Sequence, residues 1–559
     1  MLPRLALLAL GKFVGFPSRI KLWQFAGACQ NPKLMQEVLL REILAKHADT
    51  DFGRDHGFSK IQTFADFRKQ VPLAPYEYFE PYLARVRRGE LNALLSDDRV
   101  LMFALTSGTT AARKTIPVTP RFLADYRRGW DRWGLRMLLD HQSVSCSPIL
   151  QLAGDPAEFY TEAGIPCGSL SGLTVEMQKR FVRFLYVMPA AANPIRSTAD
   201  KYYVALRMGL PRPVGVITAA NPSTLVGLAR TLEARADELL RDIADGTLTN
   251  NLEISPAVRA NLMPYLRRSK RRAKALTEAA SRDGVLRPFH AWPSHRLLIG
   301  TWMGGSVGPY LRQVRRYYGE TYLRDLGLIA SEGRMTIPLC DDSPAGVLDV
   351  ATHYFEFIPE SEFGSDRPII LGVDEVEEGN NYFLVPTTAA GLYRYDIRDL
   401  VRVTGFYGRT PTLEFLNKGT HFASLTGEKL SEYQVTRAVA TVTHRLGLPL
   451  PVYALAPVWD ESCPYYGVFI EADVWHTSEH ERVLGEVDAA LSANNSEYAS
   501  KRASGRLGPL RAMMLPPGTW AEWDENRRRV RGSPAEQYKH PCLISDVNFR
   551  ASLPVLASA

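Results

Sequence analysis

The chain has 559 residues, of which 45% are hydrophobic and 23% are charged, which are ordinary values for a globular protein. This length exceeds what one hydrophobic core usually organises, so we expect at least two domains. The net charge of +7 is a mild bias for this size, and the densest basic run, 267–274, contains no aromatic residues. Because a base-stacking platform is missing there, we interpret the run as a solvated helix face and expect no nucleic-acid partner.

The cysteine pattern and the hydropathy also exclude several classes of protein. The six cysteines have wide, irregular spacings and no C-x-x-C pair, which argues against a disulfide framework and a zinc site. No apolar run reaches about 18 residues, so no membrane span is expected. Residues 1–16 slightly resemble a signal peptide, but Lys12 interrupts the run and favours an amphipathic helix. We therefore expect a cytoplasmic protein, and by default a monomer.

The N-terminal part of the chain mixes helices with short strands. Helical spacing of apolar residues predicts a helix over 34–48, and the apolar run 100–104 predicts a strand. The dipeptides Thr119-Pro120 and Asn221-Pro222 each join an N-cap residue to a proline at the first helical position, so both predict helix starts. Further β-rich runs predict strands at 214–218, 296–299, 352–358, 382–385 and 400–404.

The C-terminal part has a different pattern. Its order is helix (433–446), strand (452–456), strand (467–472) and helix (480–491), which indicates a compact α+β unit. The boundary is expected in the polar stretch 417–427. The predicted fold class is therefore α/β, with a large N-terminal α/β domain, residues 1–420, and a smaller C-terminal α+β domain, residues 421–559.

The stretch TSGTTAARKT, 106–115, has the composition of a phosphate-binding loop. From Gly108 it is one residue away from the P-loop pattern G-x-x-x-x-G-K-[ST], but Arg113 stands where a glycine must let the backbone wrap around phosphate. From Ser107 it is S-G-T-T-x-x-x-K, in which hydroxyl groups enclose a triphosphate and Lys114 adds a cation. The second interpretation is favoured.

Two other signatures suggest different chemistry. Residues 304–308 match G-x-S-x-G, the nucleophile elbow of serine hydrolases, between a predicted strand and a possible helix. No histidine has a spacing that identifies it as the base, and a hydrolase remains an alternative. Residues 476–480 match the zinc-protease pattern H-x-x-E-H, but Ser478 is the predicted N-cap of the next helix, which puts His476 before that helix.

Three later stretches add groups that suit a nucleotide. In LIASEGRMTIP, 328–338, Glu332 lies in a short turn, where a lone carboxylate suits Mg²⁺ bound mainly through water and phosphate. Asp399 stands just before the strand 400–404 and can accept both ribose hydroxyls; the alternative is that it pairs with Asp396 and Arg398 at a turn. The third stretch, LTGEKLSE at 425–432, has the glycine and charges of a hinge.

These four stretches, in this order and spacing, resemble the auxin-responsive-promoter family of acyl acid amido synthetases, in the adenylate-forming superfamily that includes luciferase. The resemblance covers nearly the whole chain, and GLYRYDIRD with GFYGRTP and GEKLSE is its most specific part. It implies an adenylate-forming fold and a ligase that adenylates a small carboxylic acid with ATP and Mg²⁺. The acyl group would then pass to an amine, which we expect to be an amino acid.

The resemblance also implies roles for particular residues. Glu332 would associate with magnesium, and Lys429 and Lys539 would be the C-terminal catalytic lysines that approach the phosphate. Residues 304–306 would line the adenine and acyl pocket as wall, and the helix carrying Tyr126, Trp130 and Trp133 is expected to line the acyl part. The residues implied for nucleotide binding are Thr106, Ser107, Gly108, Thr109, Thr110, Lys114, Gly304, Gly305, Ser306, Ser331, Asp399 and Lys418.

The chain departs from the pattern of this family at three positions. Ala111 replaces a common glycine, Leu328 replaces a tyrosine that would stack on adenine, and Lys418 replaces an arginine and so loses a bidentate donor. Two further alternatives follow: a ligase whose acceptor is a thiol, such as coenzyme A or a carrier protein, and a non-catalytic nucleotide-binding relative.

Overall fold

The computed structural model describes residues 20–556, except for 98, 107–113, 179, 363–364, 366, 419–421, 424, 427, 429, 461–462 and 532–537. In the described part no helix combines the length and apolar composition that crossing a bilayer requires. All six cysteines are free thiols, as their spacing predicts.

The N-terminal part opens with helices and a four-stranded sheet in the order β2-β1-β5-β4. Strands β1 and β2 form an antiparallel hairpin, and β1 also pairs in parallel with β5. The elements up to this sheet are α1 (20–28), α2 (Pro32–His47), α3 (Asp51–Asp55), α4 (Phe64–Gln70), α5 (Tyr76–Arg87), β1 (Met102–Leu105), β2 (Thr115–Val118), α6 (Pro120–Asp140), β3 (Ile149–Gln151), β4 (Phe159–Tyr160) and β5 (Pro166–Gly168).

A second four-stranded sheet, in the order β3-β6-β7-β8, is parallel throughout. Helices between its strands bury a hydrophobic cluster of their own, as parallel strands with crossover helices require. Its further elements are α7 (Leu170–Glu176), α8 (Arg180–Arg183), α9 (Thr198–Gly209), β6 (Val216–Thr218), α10 (Pro222–Ala234), α11 (Ala236–Asp245), α12 (Pro256–Leu262), α13 (Lys270–Asp283), α14 (Pro288–Ala291), β7 (Leu298–Gly300), α15 (Gly308–Tyr318) and β8 (Tyr322–Arg324).

A six-stranded antiparallel sheet, in the order β11-β12-β16-β15-β14-β13, follows in the chain. Its inner face shares one hydrophobic cluster with α2–α5 and the β1–β2 hairpin. The strands are β9 (Ile329–Ala330), β10 (Gly333–Arg334), β11 (Thr336–Ile337), β12 (Gly346–Leu348), β13 (Tyr354–Pro359), β14 (Asn381–Thr387), β15 (Asp399–Tyr407) and β16 (Thr410–Lys418), of which β9 and β10 form a separate hairpin.

The C-terminal part has a three-stranded sheet, β19-β20-β21, covered by helices that bury a separate cluster. Its elements are β17 (Phe422–Ala423), β18 (Leu430–Ser431), α16 (Glu432–Arg445), β19 (Tyr453–Val458), β20 (Tyr465–Glu471), α17 (Thr477–Asn494), α18 (Ser496–Ala503), β21 (Arg511–Leu515) and α19 (Thr519–Arg531).

Most predicted elements are present with shifted ends, but several strands were not predicted and one helix N-cap was misassigned. The sequence did not indicate β16, which pairs along its whole length with β15. Ser478 is not the N-cap of its helix, because α17 begins at Thr477 with His476 as the cap. The Glu479 carboxylate accepts a hydrogen bond from the His476 backbone N–H at 3.0 Å, so it stabilises the helix end.

The predicted cap of α6 gives a test of this local structure. The Thr119 hydroxyl accepts a hydrogen bond from the Phe122 backbone N–H at 3.2 Å, and Pro120 follows at the first helical position. We predict that Thr119→Val, which replaces the hydroxyl with a methyl group of similar size, lowers the free energy of unfolding by about 1 kcal/mol. Urea denaturation followed by tryptophan fluorescence measures this. Thr119→Ser should retain most of the stability, and equal losses in both variants would contradict the capping role.

Candidate active site

The carboxyl ends of the parallel strands open into a cleft of about 500 Å³. Gln151 ends β3, Thr218 ends β6, and Asp325 follows β8; all three line the cleft. The edge where parallel strands end is where α/β sheets bind ligands, because loops of variable sequence meet there. The Thr218 hydroxyl is buried and has no hydrogen-bond partner among the described residues, so it is a polar group left for a ligand.

The β1–β2 hairpin brings the two described ends of the hydroxyl-rich loop to this cleft. Thr106 and Lys114 both line it, and the Thr106 backbone N–H donates to the Lys114 carbonyl at 3.1 Å, which closes the base of the loop. The Thr106 hydroxyl is buried without a hydrogen-bond partner in the described part of the chain. The predicted residues Ser107, Gly108, Thr109 and Thr110 lie outside the described residues, as does Ala111.

The β9–β10 turn places Ser331 and Glu332 in the same cleft. The Ser331 hydroxyl donates to the Leu105 carbonyl at 3.1 Å and so ties the turn to the end of β1. Glu332 is buried, and this burial raises the pKa of its carboxyl, while the nearby ammonium groups of Lys418 and Lys114 lower it. The turn thus holds a carboxylate beside the hairpin that carries the predicted phosphate loop.

Asp399 and Lys418 form an ion pair across two neighbouring strands. They lie opposite each other in the β15–β16 register, with Lys418 Nζ 2.7 Å from Asp399 Oδ1. The Lys418 ammonium is therefore the counter-ion of the buried Asp399 carboxylate. Arg398 pairs with Asp396 at 3.4 Å, as the turn alternative predicted, whereas the carboxylate of Asp399 pairs with Lys418 on the neighbouring strand.

Lys418 lies deep in the protein. Because its side chain faces the cleft, 47% of that side chain is nevertheless exposed. Burial lowers its pKa, but the carboxylates of Asp399 and Glu332 outweigh that effect and raise the pKa of Lys418 above its usual value. Its ammonium also donates to the Ile397 carbonyl at 3.2 Å. Lys418 is therefore a fixed cation between two carboxylates.

Sequence reasoning missed Tyr395, which connects the lysine of the loop to this cluster. Its hydroxyl lies 3.3 Å from Lys114 Nζ, and the Lys114 ammonium also lies 5.2 Å from the centre of the Tyr76 ring. Burial raises the pKa of Tyr395 well above its usual range, and the charges of Glu332 and Asp399 act in the same direction, so the phenol stays a neutral donor. Its position within GLYRYDIRD was the available signal.

Lys539 reaches the cleft from the C-terminal part of the chain. Its Nζ lies 4.4 Å from the ring centres of both Trp302 and Phe415. Burial lowers the pKa of Lys539 to about 8, although the Asp399 carboxylate acts in the opposite direction. The other predicted catalytic lysine, Lys429, lies outside the described residues.

Asp325 is a second cleft residue that sequence reasoning missed. Its two carboxylate oxygens accept backbone hydrogen bonds from Gly327 at 2.5 Å and from Met303 at 2.6 Å. Asp325 therefore clamps the loop after β7 to the loop after β8. Burial raises the pKa of its carboxyl to about 7, against the lowering effect of the two backbone donors. The signal would have been a carboxylate directly after a short strand, but β8 was not predicted.

Only some of the residues that were expected to line the adenine and acyl pocket lie at the cleft. Gly304, Tyr126 and Trp130 line it. Trp133 was wrongly expected there: it is buried in the core, and its indole N–H donates to the Asp325 carbonyl at 2.8 Å. Gly305 adopts a φ of 71° and packs against β16, where an added Cβ would lie 3.3 Å from the Leu416 carbonyl oxygen.

The G-x-S-x-G context is as predicted: β7, a short turn at 305–307 and then α15. The side chain of Ser306 is outside the described part. At the H-x-x-E-H stretch, the described residues contain no group of three or more histidine, cysteine, aspartate or glutamate side chains that could hold a metal ion, and the same is true of the rest of the described chain.

Comparison with known proteins identifies the family. The models of the GH3 family N-terminal, central and C-terminal domains match residues 21–323, 346–418 and 433–548. The chain therefore belongs to the GH3 family, and the resemblance stated from its motifs is confirmed. The predicted first domain, residues 1–420, contains both the segment that matches the N-terminal model and the segment that matches the central model.

Two curated relatives match over nearly their whole length. Indole-3-acetic acid-amido synthetase GH3.8 of Oryza sativa subsp. indica is 26% identical, covering 92% of this chain and 89% of the relative. Jasmonoyl–L-amino acid synthetase JAR4 of Nicotiana attenuata is also 26% identical, covering 94% and 93%. A solved structure, the AtGH3.15 acyl acid amido synthetase in complex with 2,4-DB, superposes with a TM-score of 0.83 at 20% identity, covering 97% and 96%. The predicted fold class is therefore confirmed.

The Asp399–Lys418 pair gives a prediction that needs no ligand. Removing the ammonium leaves a buried carboxylate without its counter-ion, so Lys418→Met should destabilise the protein, and Asp399→Asn should cost less in that background than in the wild type. Because Lys418 faces solvent in the cleft, we expect a coupling energy of only about 1 kcal/mol. Urea denaturation of the two single variants and the double variant measures it.

The exposed pair Lys33–Asp374, at 2.9 Å, is the matched control and should show a coupling energy near zero. Equal coupling energies for the two pairs would mean that burial does not strengthen the contact in the cleft.

Proposed function

We propose that this protein is an ATP-dependent acyl acid amido synthetase, which adenylates a small carboxylic acid and transfers the acyl group to an amine. The observation that carries the proposal is the convergence of Thr106, Glu332, Asp399 and Lys539 on one cleft in a chain of the GH3 family. Four segments far apart in sequence contribute these groups. Their hydroxyl, carboxylate and ammonium groups are those that ribose, magnesium and phosphate require.

The nucleotide is bound by the residues that the motifs indicate. Asp399 accepts the ribose hydroxyls, which is supported by its place among the residues that line the cleft. Lys114 and Lys418 face the phosphates together with Thr106 and the loop that follows it. The predicted loop residues Ser107, Gly108, Thr109 and Thr110 belong to this part of the proposal.

A magnesium ion fits the carboxylate chemistry of the cleft. Glu332 is a buried carboxylate, and the described residues contain no cluster of three or more ligands, which suits an ion held mainly by phosphate oxygens and water. When bound, the ion supplies positive charge that offsets the charge of the phosphates. Glu332 is the residue that would hold it.

In the first step, an oxygen of the substrate carboxylate attacks the α-phosphorus of ATP. The bond from that phosphorus to the bridging oxygen breaks, and pyrophosphate leaves with the electron pair, which gives an acyl-adenylate. Lys114, Lys418 and Lys539 contribute by lowering the cost of negative charge at the phosphorus, in a site partly shielded from water. The remaining contribution is the alignment of the two reactants.

In the second step, the nitrogen of the amine attacks the acyl carbonyl, the bond to the phosphate oxygen breaks, and AMP leaves as the amine loses a proton. The C-terminal part, residues 421–559, is proposed to move as a unit between the two steps, with Lys429 and Lys539 as its catalytic lysines. The name of one relative, jasmonoyl–L-amino acid synthetase, supports an amino acid as the acceptor. We propose a cytoplasmic monomer that acts on small molecules.

Acid-dependent turnover tests this function most broadly. Purified protein incubated with ATP, Mg²⁺, mixed amino acids and a panel of carboxylic acids should release AMP and form amides, detected by mass. Thioesters formed only when coenzyme A is present would instead favour a thiol acceptor. ATP binding without turnover across the panel would favour a non-catalytic nucleotide-binding relative, and absence of both would contradict the ligase function. Ser306→Ala should leave a ligase active but would abolish a serine hydrolase.

The ribose contact gives a quantitative prediction. Asp399→Asn replaces a charged acceptor with a neutral one, so the KM for ATP should rise by about 10- to 100-fold, with a smaller change in kcat. Pyrophosphate exchange at varied ATP concentration measures both constants. Asp374→Asn, which breaks an ion pair outside the cleft, is the control and should leave them unchanged. An unchanged KM in a folded Asp399→Asn variant would remove Asp399 from the site.

A further inference from the structure

The two residues that flank Lys539 are attached to the same carboxylate oxygen. The Tyr538 hydroxyl donates to Asp524 Oδ1 at 2.7 Å, and His540 Nδ1 lies 2.8 Å from that same oxygen. Asp524 is nearly buried in α19, with 9% of its surface exposed. One carboxylate in a helix therefore holds the side chains on both sides of the lysine.

Lys539 extends into the cleft. Tyr538 and His540 are the immediate chain neighbours of Lys539, so the attachment of both side chains to Asp524 fixes the position from which Lys539 extends. The Lys539 ammonium accordingly lies over Trp302 and Phe415. The direction of the lysine is thus linked to the anchoring of its neighbours.

Both His540 and Asp524 are held in place by further contacts. His540 Nε2 lies 3.1 Å from the Tyr453 carbonyl, and its ring packs edge-on against Trp520, with centroids 4.8 Å apart. The second oxygen of Asp524 accepts a hydrogen bond from the Tyr310 hydroxyl at 3.3 Å. Tyr310 belongs to α15, in the N-terminal part of the chain. Asp524 therefore joins α15, α19 and the Lys539 segment at one point.

The position of the Lys539 ammonium in the cleft is energetically costly. An ammonium group prefers bulk water to a site between two aromatic rings, and burial is the main influence that lowers the pKa of Lys539, to about 8. The cation–π contacts offset only part of that cost. A lysine with a flexible stem would leave such a site unless its backbone were held in place.

We propose that Asp524 is a positioning residue for the ligase reaction, which holds Lys539 in the cleft by anchoring Tyr538 and His540 and which couples that placement to the N-terminal part through Tyr310. The role of Lys539 in catalysis rests on the proposed function. Its placement by Asp524 is a separate statement about the unliganded protein and can be measured without any substrate.

The test follows the reactivity of Lys539 in the full-length protein. Competitive reductive methylation at a series of pH values, read by mass spectrometry, gives the titration midpoint of this single lysine. In the wild type we expect a midpoint near 8. In Asp524→Asn, which keeps the shape of the side chain but weakens its acceptor, the midpoint should move up by more than one pH unit toward about 10.4, the value of a free lysine.

Asp488→Asn is the matched control. Asp488 is also a C-terminal helix carboxylate that accepts from a tyrosine hydroxyl, Tyr498, at 2.5 Å, and its charged partner is Arg502. This variant should leave the Lys539 midpoint unchanged. If Asp524→Asn fails to fold, Tyr310→Phe replaces it, because it removes one hydrogen bond to Asp524 and should shift the midpoint in the same direction by a smaller amount.

A Lys539 midpoint that stays near 8 in folded Asp524→Asn, or in Tyr310→Phe when that variant replaces it, would overturn the proposal. Kinetics separate this result from a failure of the proposed function. In an active ligase, Asp524→Asn should lower kcat about tenfold or more, with KM for ATP changed far less, because a misplaced group reduces the rate more than binding. A shifted midpoint in a protein without acid-dependent turnover would support the positioning role and reject the ligase function.

Discussion

The pairing of buried carboxylates with lysines is the constraint on which the cleft depends. Glu332 and Asp399 are both almost completely buried, and a charged carboxylate is costly in such a place unless a cation lies close to it. Lys418 lies between the two, and its raised pKa reflects their combined charge. The same lysine that stabilises these buried carboxylates would also face the phosphates of a nucleotide, so stability and binding depend on one group.

Each of the surrounding elements supplies a part of this cluster. The β1–β2 hairpin carries Lys114, the β9–β10 turn carries Glu332, and the register of β15 against β16 sets Asp399 opposite Lys418. Tyr395 and Ser331 connect these pieces by hydrogen bonds. The site is therefore a meeting point of three sheets, and the Lys539 segment adds a cation from the C-terminal part.

The sequence predicted the parts of this site that are encoded locally. Glu332 and Asp399 stand at junctions between short apolar runs and turns, and Thr119 and Asn221 cap their helices as their neighbouring prolines indicated. The family resemblance added their order along the chain. These features depend on residues a few positions apart, which is the range over which sequence patterns are informative.

The features that the sequence did not predict depend on packing between distant segments. Asp325 acts through two loops that meet only in the folded sheet, and Asp524 acts through a helix and a segment that share one oxygen. Trp133 has the same helical spacing as Tyr126 and Trp130, and periodicity alone does not distinguish the cleft from the core behind it. The N-cap of α17 was misassigned because serine is a preferred N-cap residue and histidine is not, yet His476 occupies that position.

A crystal structure of the wild-type protein with ATP and Mg²⁺ tests the central claim most directly. We expect the ribose hydroxyls on the Asp399 carboxylate and the phosphates among Thr106, Lys114 and Lys418, with the metal beside Glu332. A nucleotide bound elsewhere, or a cleft left empty at saturating ATP, would contradict the account of this cleft as an adenylation site.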